Sequence, residues 1–305
     1  MADAVEQFLS RLHHPTLAAV DLSLGRMQRL LMMLGAPQKR LPPVIHVAGT
    51  NGKGSLIANL QAIFEAAGLR VHRYISPHLV HFRERIVLAG KEIEDAYLES
   101  LLRHMAPFLA QQPATFFEAT TAAAFLAFAE KKADVLLLET GMGGRLDATN
   151  VIDKPALTAI TPIGFDHMEF LGKTLSAIAG EKAGILRGGI SCVVEKQEEE
   201  AAKTIAEKAQ ALGAPLYRMG HEWSHENGVY HSAKRTLAFN PALVGAHQLD
   251  NAAAAIACID QLPQFAISDA QIARGLTQTK WPARLQPLTG GRLASLLPNG
   301  FELWL

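Results

Sequence analysis

Lys53 and Ser55, set in the run Gly49-Thr50-Asn51-Gly52-Lys53-Gly54-Ser55, have the composition of a phosphate cradle. In such a turn the backbone N–H groups point at phosphate oxygens, the lysine adds a point charge and the hydroxyl can meet a magnesium ion. The run departs from the GxxxxGK[ST] pattern, because Val47 stands where the first glycine belongs and Gly54 separates Lys53 from Ser55. A glycine-rich turn that serves packing alone is the plainer alternative. The lysine, the hydroxyl, the apolar strand before the turn and the helical pattern after it favour the cradle.

Three more groups with chemistry follow apolar runs. Glu139 ends VLLLE and precedes a second glycine-rich turn, TGMGGRLDATN, so it offers a carboxylate oxygen of the kind Mg2+ shares with substrate phosphates. Its plainer reading is a cap of the next turn. Asp166 and His167 follow LTAI; a single histidine is more often a surface or satisfied core residue than a ligand, and only its place beyond a strand raises it. Ser76, in Ser76-Pro77-His78, offers a hydroxyl, and Arg83 and Arg85 in HFRERI are either a solvated loop or cations for an anionic substrate.

These groups need a scaffold that presents strand ends on one side. Short β-branched or leucine-rich runs at 45–48, 71–75, 135–138, 157–160 and 192–194 alternate with helical patterns at 55–67, 93–111, 117–132, 175–186, 198–212 and 249–262. That alternation predicts a parallel sheet covered by helices, with ligands at the carboxyl ends of the strands. After Pro215 the character changes, and Glu226-Asn227-Gly228 reads as the turn of a hairpin. From Arg284 onward short strands are expected, joined by turns at Gly290-Gly291 and Pro298-Asn299-Gly300 and ending on a half-buried apolar strand at 301–305.

At 305 residues with 49% hydrophobic and 19% charged content, the chain can bury a large core. Lys+Arg and Asp+Glu balance at 29 each, so no overall field favours nucleic acid or an anionic membrane, and anionic ligands must be caught locally. The two cysteines, Cys192 and Cys258, have no metal-ligand spacing, and a reducing cytosol fits them best. No leader pattern or run of about 18 apolar residues is present, so a soluble, cytoplasmic protein is expected.

The motifs GTNGKGS, SPHLV, ETGMGGRLDATNV, DHMEFLG, EKAGI, HQLDNAAAA and WPARLQ, in this order, resemble the folylpolyglutamate synthase and dihydrofolate synthase family, cousins of the Mur ligases. The resemblance implies an α/β fold of the Mur ligase central-domain type: a phosphate loop on a mostly parallel sheet flanked by helices, with a small β-rich excursion in the C-terminal third. It also implies an ATP-dependent amide ligase, in which a substrate carboxylate attacks the γ-phosphate and L-glutamate then displaces phosphate from the acyl phosphate. The substrates implied are L-glutamate and dihydropteroate or a reduced folate, with no nucleic acid or membrane partner and a monomeric protein. A Mur-type cell-wall ligase, or a nucleotide- or folate-binding fragment without catalysis, are the alternatives; a GTPase is disfavoured by the lack of an NKxD motif.

By the same resemblance, Asn51, Gly52, Lys53, Gly54 and Ser55 bind the ATP phosphates, and Asn251 and Arg284 contact ATP elsewhere. Ser76 and Glu139 correspond to ligands of one magnesium and His167 to a ligand of a second. Lys182 matches a lysine that the family carbamylates. A lysine pKa of about 10.4 leaves roughly one amine in a few thousand neutral at pH 7, so burial must lower it. Lys53, Lys182 and His167 are thereby the implied catalytic set. The pterin side implies Asp21, Leu22, Thr115, Phe116, Phe117, Glu118, Leu146, Asp147 and Ala148. Family members continue past the position of Leu305 into a smaller α/β domain that closes over the nucleotide. The expectation is therefore one ATP-binding domain over 1–305, catalytically poor without that partner domain.

Overall fold

The computed structural model describes residues 23–291, 295–296, 298 and 301–305. An eight-stranded sheet runs through it, built from β1 (Val44–Ala48), β2 (Val71–Tyr74), β3 (Ile86–Leu88), β4 (Lys91–Glu92), β5 (Val135–Glu139), β6 (Leu157–Ile160), β7 (Cys192–Val194) and β8 (Leu216–Arg218). Its order is β4-β3-β2-β5-β1-β6-β7-β8, and all neighbours from β2 to β8 are parallel. The short β3 and β4 add an antiparallel edge. The helices are α1 (Gly25–Met33), α2 (Lys53–Ala66), α3 (Asp95–Gln111), α4 (Phe116–Glu130), α5 (Met168–Leu171), α6 (Leu175–Lys182), α7 (Glu199–Leu212), α8 (Ala246–Asp260) and α9 (Asp269–Gln278).

Strand alternation sets the two layers. In β5, Val135 and Leu137 join a core with Leu56, Ile57 and Leu60 of α2 and Ile256 of α8. Leu136 and Leu138 join the opposite core, with Leu30 of α1, Leu102 of α3 and Phe125 of α4. A third cluster closes α6 and α7 over β6 and β7 through Ile178, Ile205 and Ile160. Both faces of the sheet are thus covered, which is why its strands read as continuous apolar runs.

The hairpin at Asn227-Gly228 is present: both residues have positive φ, 50° and 74°, and join β9 (Trp223–Glu226) to β10 (Val229–Ser232). With β11 (Thr236–Ala238) they form the separate antiparallel sheet of the β-rich excursion. Helices α1 and α9 were not anticipated. Inside α9, a Cβ at Gly275 would come within 2.5 Å of Ile63 Cα, so the glycine serves close packing on α2. The helix expected at 175–186 ends at Lys182 and continues as a single tight turn, Ala183–Ile185.

The expected strand at 301–305 is reduced to one antiparallel bridge, Pro287 to Trp304. Phe301 and Leu305 are exposed, because nothing described packs over that side. The Gly290-Gly291 position is described, whereas Asn299 and Gly300 lie outside the described residues. Among the described residues no helix is long and apolar enough to cross a membrane.

Candidate active site

The turn after β1 leads into an uncapped helix start. Gly52, the residue before α2, has φ of 89°, and no side chain caps the helix. The first N–H groups of a 14-residue helix are therefore unclaimed at its positive end. Thr50 N and Asn51 N donate to Pro162 O at 3.0 and 3.2 Å, which anchors the outer side of the turn beyond β6. Gly49 is required by packing: with φ of 152°, a Cβ there would fall 1.8 Å from Thr161 Oγ1.

Parallel pairing of β1 with β5 and of β5 with β2 brings the neighbouring strand ends to this turn. Lys53 Nζ lies 3.8 Å from Glu139 Oε1, and Ser76 N donates to Glu139 Oε2 at 3.4 Å. Glu139 is 5% exposed, and burial pushes its pKa up to about 7 against the opposing pull of Lys53. A cavity of about 580 Å3 opens here, within the range of small-molecule sites. Its wall includes the whole turn from Thr50 to Ser55 together with Ser76, Glu139, Asn251 and Arg284. Nine of the residues picked from sequence, Asn51, Gly52, Lys53, Gly54, Ser55, Ser76, Glu139, Asn251 and Arg284, therefore share one cavity.

Lys182 comes from α6 on the far side of the turn. Its Nζ donates to Gly49 O at 2.8 Å, and the side chain is buried. Burial, and then the Lys53 charge, lower its pKa to about 8. The burial that a lowered pKa requires is thus present at Lys182. His167 is placed differently: it sits at the head of α5 with φ of 46°, its side chain 47% exposed, 3.7 Å from Asp166, and outside the wall of that cavity.

The residues expected on the pterin side include Leu146, Asp147 and Ala148 of the second glycine-rich turn and Phe117, which packs against it. Thr115 and Glu118 close a capping box at the start of α4, and Glu118 also pairs with Arg26 at 3.1 Å. Phe117 packs on Gly141, where a Cβ would fall 2.3 Å from its ring. Phe116 meets Phe82 edge-on with ring centres 6.0 Å apart, and Arg85 lies over both rings. Asp147 is buried and accepts from Met142 N and Thr149 N, Ala148 is buried and Leu146 is half-buried. Asp21 and Leu22 lie outside the described residues.

Among the wall residues that sequence reasoning missed are His247, Gln248, Asp250 and Glu195. The first three share the opening of α8 with Asn251, whose Nδ2 donates to His247 O and Gln248 Oε1. Their signal was the helical spacing within HQLDN. Trp281 was also missed; it packs against Gly54, where a Cβ would fall 2.8 Å from the indole.

Comparison with known proteins decides which family the chain belongs to. The chain matches the Mur ligase middle domain over residues 47–259. It is 38% identical to the dihydrofolate synthase/folylpolyglutamate synthase of Bacillus subtilis, over 94% of this chain and 71% of that protein. The chain belongs to the folylpolyglutamate and dihydrofolate synthase family of Mur ligases. The apo folylpolyglutamate synthase of L. casei superposes with a TM-score of 0.84 at 32% identity, covering 92% of this chain and 73% of that one. The E. coli FolC in complex with DHPP and ADP gives 0.84 at 34% identity, over 94% and 69%. This synthase-family chain thus shares its fold with a protein solved with ADP bound, and its glycine-rich turn lies within the matched Mur ligase middle domain.

Proposed function

We propose that this chain binds ATP at the turn after β1 and serves the ATP-dependent joining of L-glutamate to dihydropteroate or a reduced folate. The observation that carries the reading is the cavity where Lys53, the open start of α2 and Glu139 converge. Phosphoryl transfer needs mainly positioning and charge neutralisation, which such a set supplies. In this reading Asn51 to Ser55 hold the phosphates, Lys53 reaches the γ-phosphate, and Asn251 and Arg284 contact ATP from α8 and from the chain after Trp281.

The donor set fits magnesium. Mg2+ keeps several waters and is bound by one or two carboxylates plus substrate phosphates. A buried Glu139 carboxylate beside Ser76 offers the hard oxygens such an ion takes. Glu139 and Ser76 would hold one ion, and His167 and a carbamylated Lys182 a second. Bound there, magnesium supplies charge neutralisation for the phosphates. Lys182 supports its role through its environment: a pKa of about 8 leaves a useful fraction of neutral amine, which is the form that takes up carbon dioxide.

The pterin end is assigned to Thr115, Phe116, Phe117, Glu118, Leu146, Asp147 and Ala148, beside Asp21 and Leu22. The aromatic pair at the start of α4 supports a planar heterocycle there. Small molecules are the partners we infer for a monomeric cytoplasmic protein, and the balanced charge, which draws no polyanion, supports the reading without nucleic acid. Incubation with ATP, magnesium, L-glutamate and either dihydropteroate or a reduced folate tests the reading. A mass gain of one glutamyl residue with glutamate-dependent phosphate release is expected, and phosphate release that ignores glutamate would sink it.

A further inference from the structure

Glu195 follows β7 directly, is only 3% exposed, and yet lines the same cavity as the phosphate turn. Its backbone N–H donates to Ile160 O at 3.0 Å, which ties the residue to the end of the sheet. One carboxyl oxygen, Oε1, has no hydrogen-bond partner among the described residues. Buried polar atoms are nearly always paired, so an orphan in a cavity wall marks a place where a ligand group completes the pairing.

The neighbouring polar groups are already engaged. Asp250 is 2.7 Å from His225 Nε2, and the Asn251 amide donates within its own helix. Burial and then the Asp250 charge push Glu195 up to about 8, so near pH 7 it is largely the neutral acid, with both a donor and an acceptor to offer.

Strand order says which end of a nucleotide it meets. Glu139 and Ser76 follow β5 and β2 on one side of β1, whereas Glu195 follows β7 on the other. At about 4.8 Å per strand, β7 lies on the order of 10 Å from β1. A nucleotide whose terminal phosphate sits between Lys53 and Glu139 therefore runs its nucleoside toward β7.

We propose that Glu195 binds the nucleoside of ATP, its free oxygen accepting from an N–H or O–H of the purine amine or the ribose. The proposal rests on the ATP-site reading above, and direct binding measurements separate the two. ATP with magnesium is titrated into the wild-type chain, Glu195→Ala and Glu195→Gln by calorimetry, with the melting temperature of each recorded. Glu195→Ala is expected to weaken ATP about three- to tenfold, the value of one hydrogen bond, and Glu195→Gln to recover most of that loss.

Purine riboside triphosphate, 2′-deoxy-ATP and 3′-deoxy-ATP each remove one candidate donor. The analogue lacking the contacted group should bind the wild type and Glu195→Ala alike, which names the contact. A folded Glu195→Ala chain that binds ATP within about twofold of wild type overturns the proposal. So does an equal loss for all of the analogues, which would mean general disturbance of the wall. A wild-type chain that binds no ATP sinks the ATP-site reading and this proposal together.

Discussion

Lys182 and Lys53 donate to the same acceptor, the carbonyl oxygen of Gly49, at 2.8 and 3.1 Å. Two ammonium groups on one carbonyl repel, and that repulsion adds to burial in lowering the Lys182 pKa. The turn thus gathers two lysines and a helix start, with Glu139 3.8 Å from Lys53 as the nearby opposing charge.

Replacing Lys182 separates stability from chemistry. Lys182→Met removes a buried cation, so the melting temperature is expected to hold or rise, while ligase turnover falls at least about a hundredfold if the group acts at the site. With carbon-13 bicarbonate, NMR should show a carbamate signal that grows as pH is raised through about 8 and is missing from Lys182→Met. A normal turnover in that variant contradicts the assignment.

As the proposed magnesium ligand, a Glu139 carboxyl with a pKa of about 7 would be contested between proton and metal. The magnesium concentration needed for half-maximal turnover is expected to fall as pH rises through 7 and the carboxyl ionises. Outer partners of metal ligands are worth about 10–100-fold, so Glu139→Gln should raise the magnesium requirement by at least that and flatten its pH dependence.

Gly49→Ala places a Cβ 1.8 Å from Thr161 Oγ1 at a backbone angle that side chains rarely adopt. Overpacking of this kind costs about 1–3 kcal/mol, and the strain adds to it. Chemical denaturation should report the loss, and ATP binding should weaken together with it because the turn itself must move.

His46 gives a pH signature of folding. Facing away from the α2 side of β1, it is fully buried, with Nε2 2.9 Å from Thr149 Oγ1, and burial lowers its pKa to about 3. The folded pKa lies below the unfolded value of about 6.5, so the unfolded chain binds the extra proton between them. This contribution is fully present above 6.5 and is lost as pH falls toward 3, by up to about 1.4 kcal/mol per unit. His46→Gln, neutral throughout, should show a shallower fall of unfolding free energy over that range.

Much of the site was legible in the sequence because its signals are local. A glycine at positive φ, a lysine after it and an apolar run on each side are properties of a few consecutive residues, and the turn at Gly49–Ser55 followed from them. So did Glu139 and Ser76, each at the end of a readable strand, and the Asn227-Gly228 hairpin. Helix α9 was hidden because Gly275 is explained only by the helix it packs on, and the burial of Lys182 depends on α6 meeting the turn 133 residues earlier. His167 was placed beyond the right strand, yet its exposure and its distance from the cavity wall depend on how α5 leaves the sheet.

By itself, the sequence determined the glycine-rich turn between strand and helix, the alternation of strands and helices, and the family to which both belong, since these rest on residue types and short-range spacing. Only the tertiary structure decided that β5 and β2 lie on one side of β1 and β7 on the other. Parallel strands are joined by long crossovers, so their lateral order comes from burial and packing of the helices between them and leaves no period in the chain. That order sets Glu139 beside Lys53, and it sets Glu195, whose Oε1 has no partner among the described residues, in the wall beyond β7.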